Sequence, residues 1–375
     1  MRVDQNVAAV ESADSGQPLP AGKPIAGDPA LLALMVEDAA ASGPLWTATA
    51  YWRGYSSRIL RELERVGLAG LRTNQTLLKG FATGGMPLPE LPAAPWKRAA
   101  WRALQAAPGV NQMVGEYRRV LAAEYARHRE TRRQHARMVM DEIARAFPDL
   151  RPPAGLANGG ADDAFSWRGH TIVPAFAMYL SRAADFYAQV PPREVNSIVE
   201  IGPGLGLSSL AHVALNPFLR VIVNVDIVPV LYLSTQFLKS IDGLDVVDYR
   251  VARARARIAA GPAAAGVRVY QLAPWLLPRV DGTFDFFFNA FSFQEMEPEV
   301  CRNYAAELLR IVGRGVLLHE MIAGHKRGAG GQKEPVTLSF LESLFRAKFP
   351  KVARLDGFWP RFYDGHPEMT RLLTK

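Results

Sequence analysis

Three glycines stand at alternate positions in the stretch IVEIGPGLG, residues 198–206, directly after an apolar run. Glu200 comes two residues before Gly202, and Asp226 ends the next apolar run, VIVNVD. A glycine turn lets a ligand approach the backbone closely, and an acid after the second strand accepts hydrogen bonds from ribose hydroxyls. A carboxylate at Glu200 would pair with an ammonium group. The pattern predicts a nucleoside ligand with an amino acid portion.

Two other ligands of glycine-rich turns fit this spacing less well. The turn reads G-x-G-x-G, whereas the dinucleotide fingerprint G-x-G-x-x-G needs its third glycine at Leu207. The interpretation as a phosphate-binding P-loop has still less support, because no lysine followed by serine or threonine stands at the required distance. An NAD-dependent oxidoreductase remains an alternative.

A second set of reactive side chains follows two later β-rich runs. Gln294 and Glu295 come just after FDFFFNAF, and His319 and Glu320 end RGVLLHEM. A histidine or a tuned glutamate can take the proton of a hydroxyl nucleophile, so His319 and Glu295 are the two candidate bases. Glu320 can orient the imidazole only outside a strand, because strand neighbours point to opposite faces.

A hard cation such as magnesium is an open alternative for the same part of the chain. Carboxylate oxygens are its preferred ligands. The sequence has no H-E-x-x-H motif and no paired cysteine and histidine spacing for zinc. The side chains that could gather around magnesium are Glu295, Glu297, His319, Glu320 and His325.

The segments that carry these residues alternate between β-rich and helical patterns along the chain. The alternation predicts βαβ units and an α/β fold with a doubly wound, Rossmann-like, seven-stranded, mostly parallel sheet. Ligands of such a sheet bind at the carboxyl ends of its strands, where the glycine turn falls. The predicted strands are NSIVEI, VIVNVD, GVRVYQL, FDFFFNAF, RGVLLHEM, RAKFPKVARLDGF and EMTRLLTK.

The chain before the sheet is helical in pattern. Apolar residues recur three and four apart in TAYWRGYSSRILRELERVG, and the stretch RPPAGLANGGADD, residues 151–163, marks a boundary. We predict a disordered leader at 1–25, a helical cap or dimerisation region at 26–160 and the α/β domain at 161–375.

Composition limits the class of protein. The net charge is +8, but arginines and glutamates alternate on helical stretches, which indicates solvated faces rather than a nucleic-acid site. The single cysteine, Cys301, excludes an intramolecular disulfide, and we find neither a signal peptide nor a membrane span. We expect a cytoplasmic protein without nucleic-acid or membrane partners. A basic RNA-binding module is the non-catalytic alternative.

Residues 195–375 resemble the class I S-adenosylmethionine-dependent methyltransferases, through the acid-x-G-x-G-x-G turn and the acidic end of the second strand. More narrowly, the chain resembles the sugar O-methyltransferase family. That resemblance rests on VNVDIVPVLYLSTQFL at 223–238, FDFFFNAFSFQEMEPEVCRNY at 284–304 and WRGYSSRILRELERVGLAGLRTN at 52–74.

The resemblance implies a sheet whose last strand is antiparallel and S-adenosylmethionine as the cofactor. It implies methylation of a hydroxyl on a sugar or glycosylated small molecule, with Gln294 and Asn289 at the transfer site, His319 or Glu295 as base, and His366 near the acceptor. The helical region would shape the acceptor pocket or a homodimer contact. N- or C-methylation of another small molecule stays open, although NAFS stands where amine methyltransferases carry an N-P-P-Y type motif. The implied donor-binding residues are Glu200, Gly202, Pro203, Gly204, Gly206, Asp226, Ile227, Leu272, Ala273 and Asn289.

Overall fold

The computed structural model describes residues 22–68, 71–74, 77, 110–325, 334–355 and 368–375. Most of the predicted leader and His366 lie outside these residues. Among the helices within them, none has the length and apolar character needed to cross a membrane. The helices are α1 (Pro29–Ala41), α2 (Ala50–Val66), α3 (Val110–Ala146), α4 (Pro174–Tyr187), α5 (Leu207–Leu215), α6 (Val230–Lys239), α7 (Tyr249–Arg253), α8 (Pro298–Ile311) and α9 (Leu338–Phe345).

The strands form one large sheet and two small two-stranded ones. The small sheets pair β1 with β2 and β6 with β8. The strands are β1 (Phe165–Trp167), β2 (His170–Ile172), β3 (Ser197–Ile201), β4 (Val221–Val225), β5 (Leu244–Val247), β6 (Ile258–Ala259), β7 (Val267–Leu272), β8 (Val280–Asp281), β9 (Phe284–Ala290), β10 (Val312–Met321), β11 (Lys351–Leu355) and β12 (Glu368–Thr374).

The large sheet has eight strands, in the order β11-β12-β10-β9-β3-β4-β7-β5. The last strand, β12, is antiparallel to both of its neighbours, and the other pairs are parallel. The predicted number of seven is therefore wrong. The extra strand is β5, which pairs with β7 at the edge of the sheet. All four of its residues are half-buried, and its sequence, LDVV, is short and contains a charged residue, unlike the continuous apolar run of a central strand.

The centre of the sheet places the predicted ligand-binding residues at one edge. Every residue of β4 is buried, as expected for a parallel strand covered on both faces. Ile201 at the end of β3 pairs with Val225 at the end of β4, and β9 lies on the other side of β3. The turns that follow β3, β4 and β9 therefore meet at the carboxyl edge of the sheet.

The N-terminal helices pack directly on the α/β part. Asp28 caps α1 and forms a bidentate ion pair with Arg250 of α7, with distances of 2.6 and 2.8 Å. Asp38, which also belongs to α1, forms an ion pair with Arg253, which also belongs to α7. Buried apolar residues from Ile25 to Leu373 form one core. The boundary near residue 160 stays a prediction.

Candidate functional site

A cavity of about 410 Å³ opens at the carboxyl ends of β3, β4 and β9. The glycine turn and both predicted acids line one part of it, and the turn after β9 lines another. The start of α2 and the residues just before it contribute a further wall, which the sequence predicts only in general terms as part of a helical cap. Residues of this wall are Thr47, Thr49, Tyr51 and Trp52.

The turn after β3 has a backbone that only glycine adopts readily. Gly202, Gly204 and Gly206 have φ angles of 70°, 58° and 91°, and the Gly202 N–H donates to the Val225 carbonyl at 2.8 Å. A Cβ atom added to Gly202 would lie 2.3 Å from the Cβ of Ser292. The glycines therefore permit both the turn and the close approach of the β9 turn.

We expect Gly202→Ala to destabilise the protein by roughly 2 kcal/mol or more, because a left-handed conformation costs an alanine about 1–2 kcal/mol and the clash adds to that. Gly169→Ala is the control, since Gly169, in the turn between β1 and β2, has a φ of 80° but open space around its Cβ position. Urea unfolding of both variants measures the difference. Equal losses would show that the contact with Ser292 costs nothing.

Asp226 is fixed at the cavity wall by two backbone donors. The Gly204 N–H donates to Oδ2 at 3.2 Å and the Ile227 N–H to Oδ1 at 2.8 Å. The side chain is 9% exposed, and burial raises its pKa to about 8, although the two hydrogen bonds oppose this shift. Each carboxylate oxygen keeps a lone pair that a ligand hydroxyl can use.

Glu200 is a buried acid with incomplete hydrogen bonding. It is 3% exposed, and burial raises its pKa to about 7, partly offset by a hydrogen bond from Ser208 and the charge of Arg182. Its Oε2 atom has no hydrogen-bond partner among the described residues. An unsatisfied buried carboxyl oxygen is costly, so this position is suited to a ligand that donates a hydrogen bond.

Arg182 of α4 lines the same cavity and was missed by the sequence analysis. Its guanidinium lies 5.1 Å from the ring centroid of Phe291 and 5.5 Å from that of Tyr179. Phe291 has a φ of 64°, a conformation uncommon for a bulky residue and frequent at functional sites. The turn after β9 thus holds an aromatic face against the arginine.

Glu295 connects the turn after β9 to α2. Trp52 Nε1 donates to Glu295 Oε2 at 2.8 Å, and Thr49 Oγ1 donates to the Glu295 carbonyl at 2.8 Å. Burial raises the pKa of Glu295 to about 7, while hydrogen bonds from Trp52 and Tyr51 lower it. The result is a carboxyl group that lines the cavity and titrates near neutral pH, as a general base requires.

The two residues predicted at the end of β10, His319 and Glu320, lie on opposite faces of the sheet. His319 Nδ1 lies 2.7 Å from Thr370 Oγ1, and His319 lines a smaller adjoining cavity of about 20 Å³ rather than the main one. Both His319 and Glu320 belong to β10, so their side chains leave opposite faces. Glu320 therefore does not orient the imidazole. Burial raises the pKa of Glu320 well above its usual range, and the charge of Glu295 adds to this effect.

Two polar residues predicted at the transfer site, Asn289 and Gln294, do not line the main cavity. They form hydrogen bonds with the segments around it. Asn289 Nδ2 donates to the Ile201 carbonyl at 2.9 Å and to Ser292 Oγ at 2.6 Å. Gln294 Nε2 donates to the Met321 carbonyl at 2.6 Å, and its Oε1 accepts from the Met321 N–H at 2.9 Å. Of the other predicted donor-binding residues, Ile227 lines the main cavity, whereas Pro203, Gly206, Leu272 and Ala273 do not.

The five candidate magnesium ligands do not form one cluster. Within the described residues, no group of three or more histidine, cysteine, aspartate or glutamate side chains has the geometry of a metal site. Glu297 accepts from the Ala50 N–H at 3.2 Å, so it helps to dock α2.

No family model matches the sequence, and no curated protein matches it. Solved structures similar to the chain include magnesium protoporphyrin IX methyltransferase from Synechocystis PCC 6803 with bound SAH (11% identity, 53% of this chain, 80% of that chain, TM-score 0.33). The N-terminal domain of EvdMO1, in the presence of SAH and D-fucose, is 16% identical over 63% of this chain and 96% of that chain, with a TM-score of 0.34. Mitomycin 7-O-methyltransferase is 13% identical over 54% and 56%, with a TM-score of 0.33. Identity and TM-score are low in every case.

Proposed function

We propose that the protein is an S-adenosylmethionine-dependent O-methyltransferase. The observation that carries this proposal is the cavity in which the unpartnered oxygen of Glu200, the glycine turn at Gly202 and Gly204, and the backbone-fixed carboxyl of Asp226 occur together. Glu200 would bind the ammonium group of the donor and Asp226 its ribose hydroxyls. The donor supplies an electrophilic methyl group when bound.

In this mechanism the chain aligns the acceptor, excludes water and removes one proton. Glu295 is the better placed of the two candidate bases, because it lines the main cavity with a pKa of about 7. Its carboxylate would accept the proton of the acceptor hydroxyl, while Trp52 and Tyr51 hold it in position. His319 is the second candidate and would act from the adjoining small cavity.

For the acceptor, we propose a sugar or a glycosylated small molecule. Two of the segments that resemble sugar O-methyltransferases, at 223–238 and 284–304, both contribute to the cavity wall. Tyr51 and Trp52 of α2 add aromatic faces, which suit the apolar face of a sugar ring. The predicted homodimer contact and the cytoplasmic location stay proposals.

Isothermal titration should show binding of S-adenosylhomocysteine and none of NAD. The two ligands share adenosine, but only the first has an ammonium group for Glu200, while the second brings a pyrophosphate. Binding of NAD alone would favour an oxidoreductase and contradict the proposal. Incubation with labelled methyl donor and a panel of deoxysugars, glycolipids and glycosylated natural products then tests the acceptor, and repetition with a chelator tests the need for a metal.

A further inference from the structure

Phe291 has a backbone conformation that its side chain does not favour. It follows Ala290, the last residue of β9, and has a φ of 64°. Its N–H donates to the His319 carbonyl at 3.1 Å, which ties this turn to β10. A bulky residue keeps a left-handed conformation only where the surrounding structure holds it there, and such residues cluster at functional sites. The ring of Phe291 is therefore held in its position at a cost to the backbone.

This ring lies between the two cavities. Phe291 lines the main cavity, whereas His319 lines the small one. The two rings meet edge to face, with their centroids 5.1 Å apart and their planes at 83°. The cavities lie side by side here, because they share four lining residues, which are Tyr179, Arg182, Glu200 and Ala290. The Phe291 ring thus forms the wall between the main cavity and His319.

Two other elements keep the ring in this place. The guanidinium of Arg182, on α4, lies over it at 5.1 Å from the ring centroid, and a cation in this position is attracted by the aromatic face. The imidazole of His319, on β10, is itself fixed by its hydrogen bond with Thr370. The ring cannot turn away without losing its contacts with both side chains. The wall is therefore a built feature of the site.

We propose that Phe291 is a specificity-determining residue that closes the acceptor site on the side of β10. Its ring keeps the acceptor out of the small cavity and away from His319, so that the acceptor hydroxyl meets Glu295. The ring also limits how far a substituent of the acceptor extends toward β10. The inference about the acceptor rests on the proposed function, whereas the separation of the two cavities does not depend on it.

Chemical labelling of histidines tests the wall without any substrate. Phe291→Gly removes the ring and suits the backbone, because glycine adopts a positive φ readily. Diethyl pyrocarbonate, which modifies neutral imidazoles, is the probe, and mass spectrometry reads each histidine separately. The Nε2 atom of His319 is buried, so this residue should react slowly in wild type and roughly tenfold or more faster in the variant. His325 lines the main cavity and should react equally in both proteins.

A conservative variant separates the wall from a general effect on folding. Phe291→Tyr keeps an aromatic ring at the same position, so His319 should react as slowly as in wild type. Equal labelling of His319 in wild type and Phe291→Gly would overturn the separation of the two cavities. Faster labelling of every histidine in Phe291→Gly would overturn it as well, because the whole fold would then have loosened.

The preference among acceptors tests the role in specificity. With labelled methyl donor, kcat/KM is compared for the best acceptor of the panel and for its homologue with one added methyl group. Phe291→Gly should shift the ratio toward the larger acceptor roughly 10-fold or more, since one methylene in a pocket is worth about 10- to 200-fold. Phe218→Ala is the control, because Phe218 is 47% exposed and lines neither cavity.

The outcomes distinguish this inference from the proposed function. An unchanged ratio in Phe291→Gly, with His319 open to the reagent, would overturn the role in specificity and leave the proposed function standing. Absence of methyl transfer from wild type to every acceptor would overturn the proposed function, and with it the role in specificity. The labelling result would still decide whether Phe291 separates the cavities.

Discussion

Glu295→Gln is expected to lower the rate of methyl transfer roughly 10²- to 10⁴-fold, the usual contribution of general base catalysis. Glutamine keeps the shape of the side chain and can still accept the Trp52 N–H, but it cannot take a proton. Donor affinity should hardly change, since Glu295 belongs to the turn after β9 and not to the glycine turn. Single-turnover rates with labelled donor and titration of S-adenosylhomocysteine separate the two effects.

The same assignment predicts a pH dependence. The base must be ionised, so the rate of the wild-type enzyme should rise as pH increases through about 7. The Trp52 N–H lowers the pKa of Glu295, so Trp52→Phe should move this rise to higher pH. Trp167→Phe is the control, because Trp167 Nε1 donates to Asp141 Oδ1 at 3.0 Å outside the cavity.

One control and one further variant decide between the candidate bases Glu295 and His319. Glu299→Gln changes an exposed carboxylate in the first turn of α8 and should leave the rate unchanged. His319→Ala should retain most of the activity if Glu295 is the base. A large loss in His319→Ala, with donor binding intact and Glu295→Gln active, would transfer the role to the histidine. Near wild-type rates in both Glu295→Gln and His319→Ala would show that neither residue is the base.

Asp226→Asn is expected to weaken donor binding roughly 10- to 100-fold and to remove the loss of stability that ionisation of Asp226 causes as pH rises. The first effect follows from the loss of a charged acceptor for ribose hydroxyls. The second follows because asparagine removes the cost of keeping an ionised carboxylate in a site where it is 9% exposed. Asparagine has one acceptor oxygen for the two backbone N–H donors of Gly204 and Ile227, so the variant carries a constant cost, and its stability relative to wild type rises with pH.

The gain in stability relative to wild type should depend on pH, because it comes from the ionisation of the carboxyl group. The pKa of Asp226 is about 8 in the folded protein, above its value of about 4 in an unfolded chain. Its contribution to folding is therefore fully present below about pH 4 and is lost as pH rises through about 8. The stability of Asp226→Asn relative to wild type should be higher at pH 9 than at pH 5 in urea unfolding.

Asp245→Asn provides the matched control for this comparison. Asp245 lies on the edge strand β5 and forms an ion pair with Arg268 at 2.6 Å, outside the cavity. Its substitution should change neither donor affinity nor the pH dependence of stability. A stability difference for Asp226→Asn that is the same at pH 5 and pH 9 would contradict the raised pKa.

The arrangement of the central sheet was largely predictable, because parallel strands buried on both faces have continuous apolar sequences. The glycine turn and the acid after β4 were found for the same reason, since they follow such runs directly. Strand β5 was missed because an edge strand needs neither a long nor a continuous apolar run. Its sequence, LDVV, contains a charged residue that pairs with β7 across the sheet surface.

The missed residues of the site depend on contacts between distant parts of the chain. Arg182 lies on α4 as one of 44 lysines and arginines, and no local pattern distinguishes it from the rest. Trp52 lies 243 positions before Glu295. Their roles follow from tertiary packing, which places α2 and α4 beside the turn after β9.

The hydrogen bond between Thr49 and the Glu295 carbonyl spans 246 positions and has a consequence for synthesis of the chain. At roughly 5–20 residues per second, a ribosome needs about 12–50 s to reach the partner after Thr49 has been made. During this time Tyr51 and Trp52 have no β9 turn to pack against. The part of the cavity wall formed by Thr49, Tyr51 and Trp52 is synthesised first, and it is therefore among the last parts of the site to assemble.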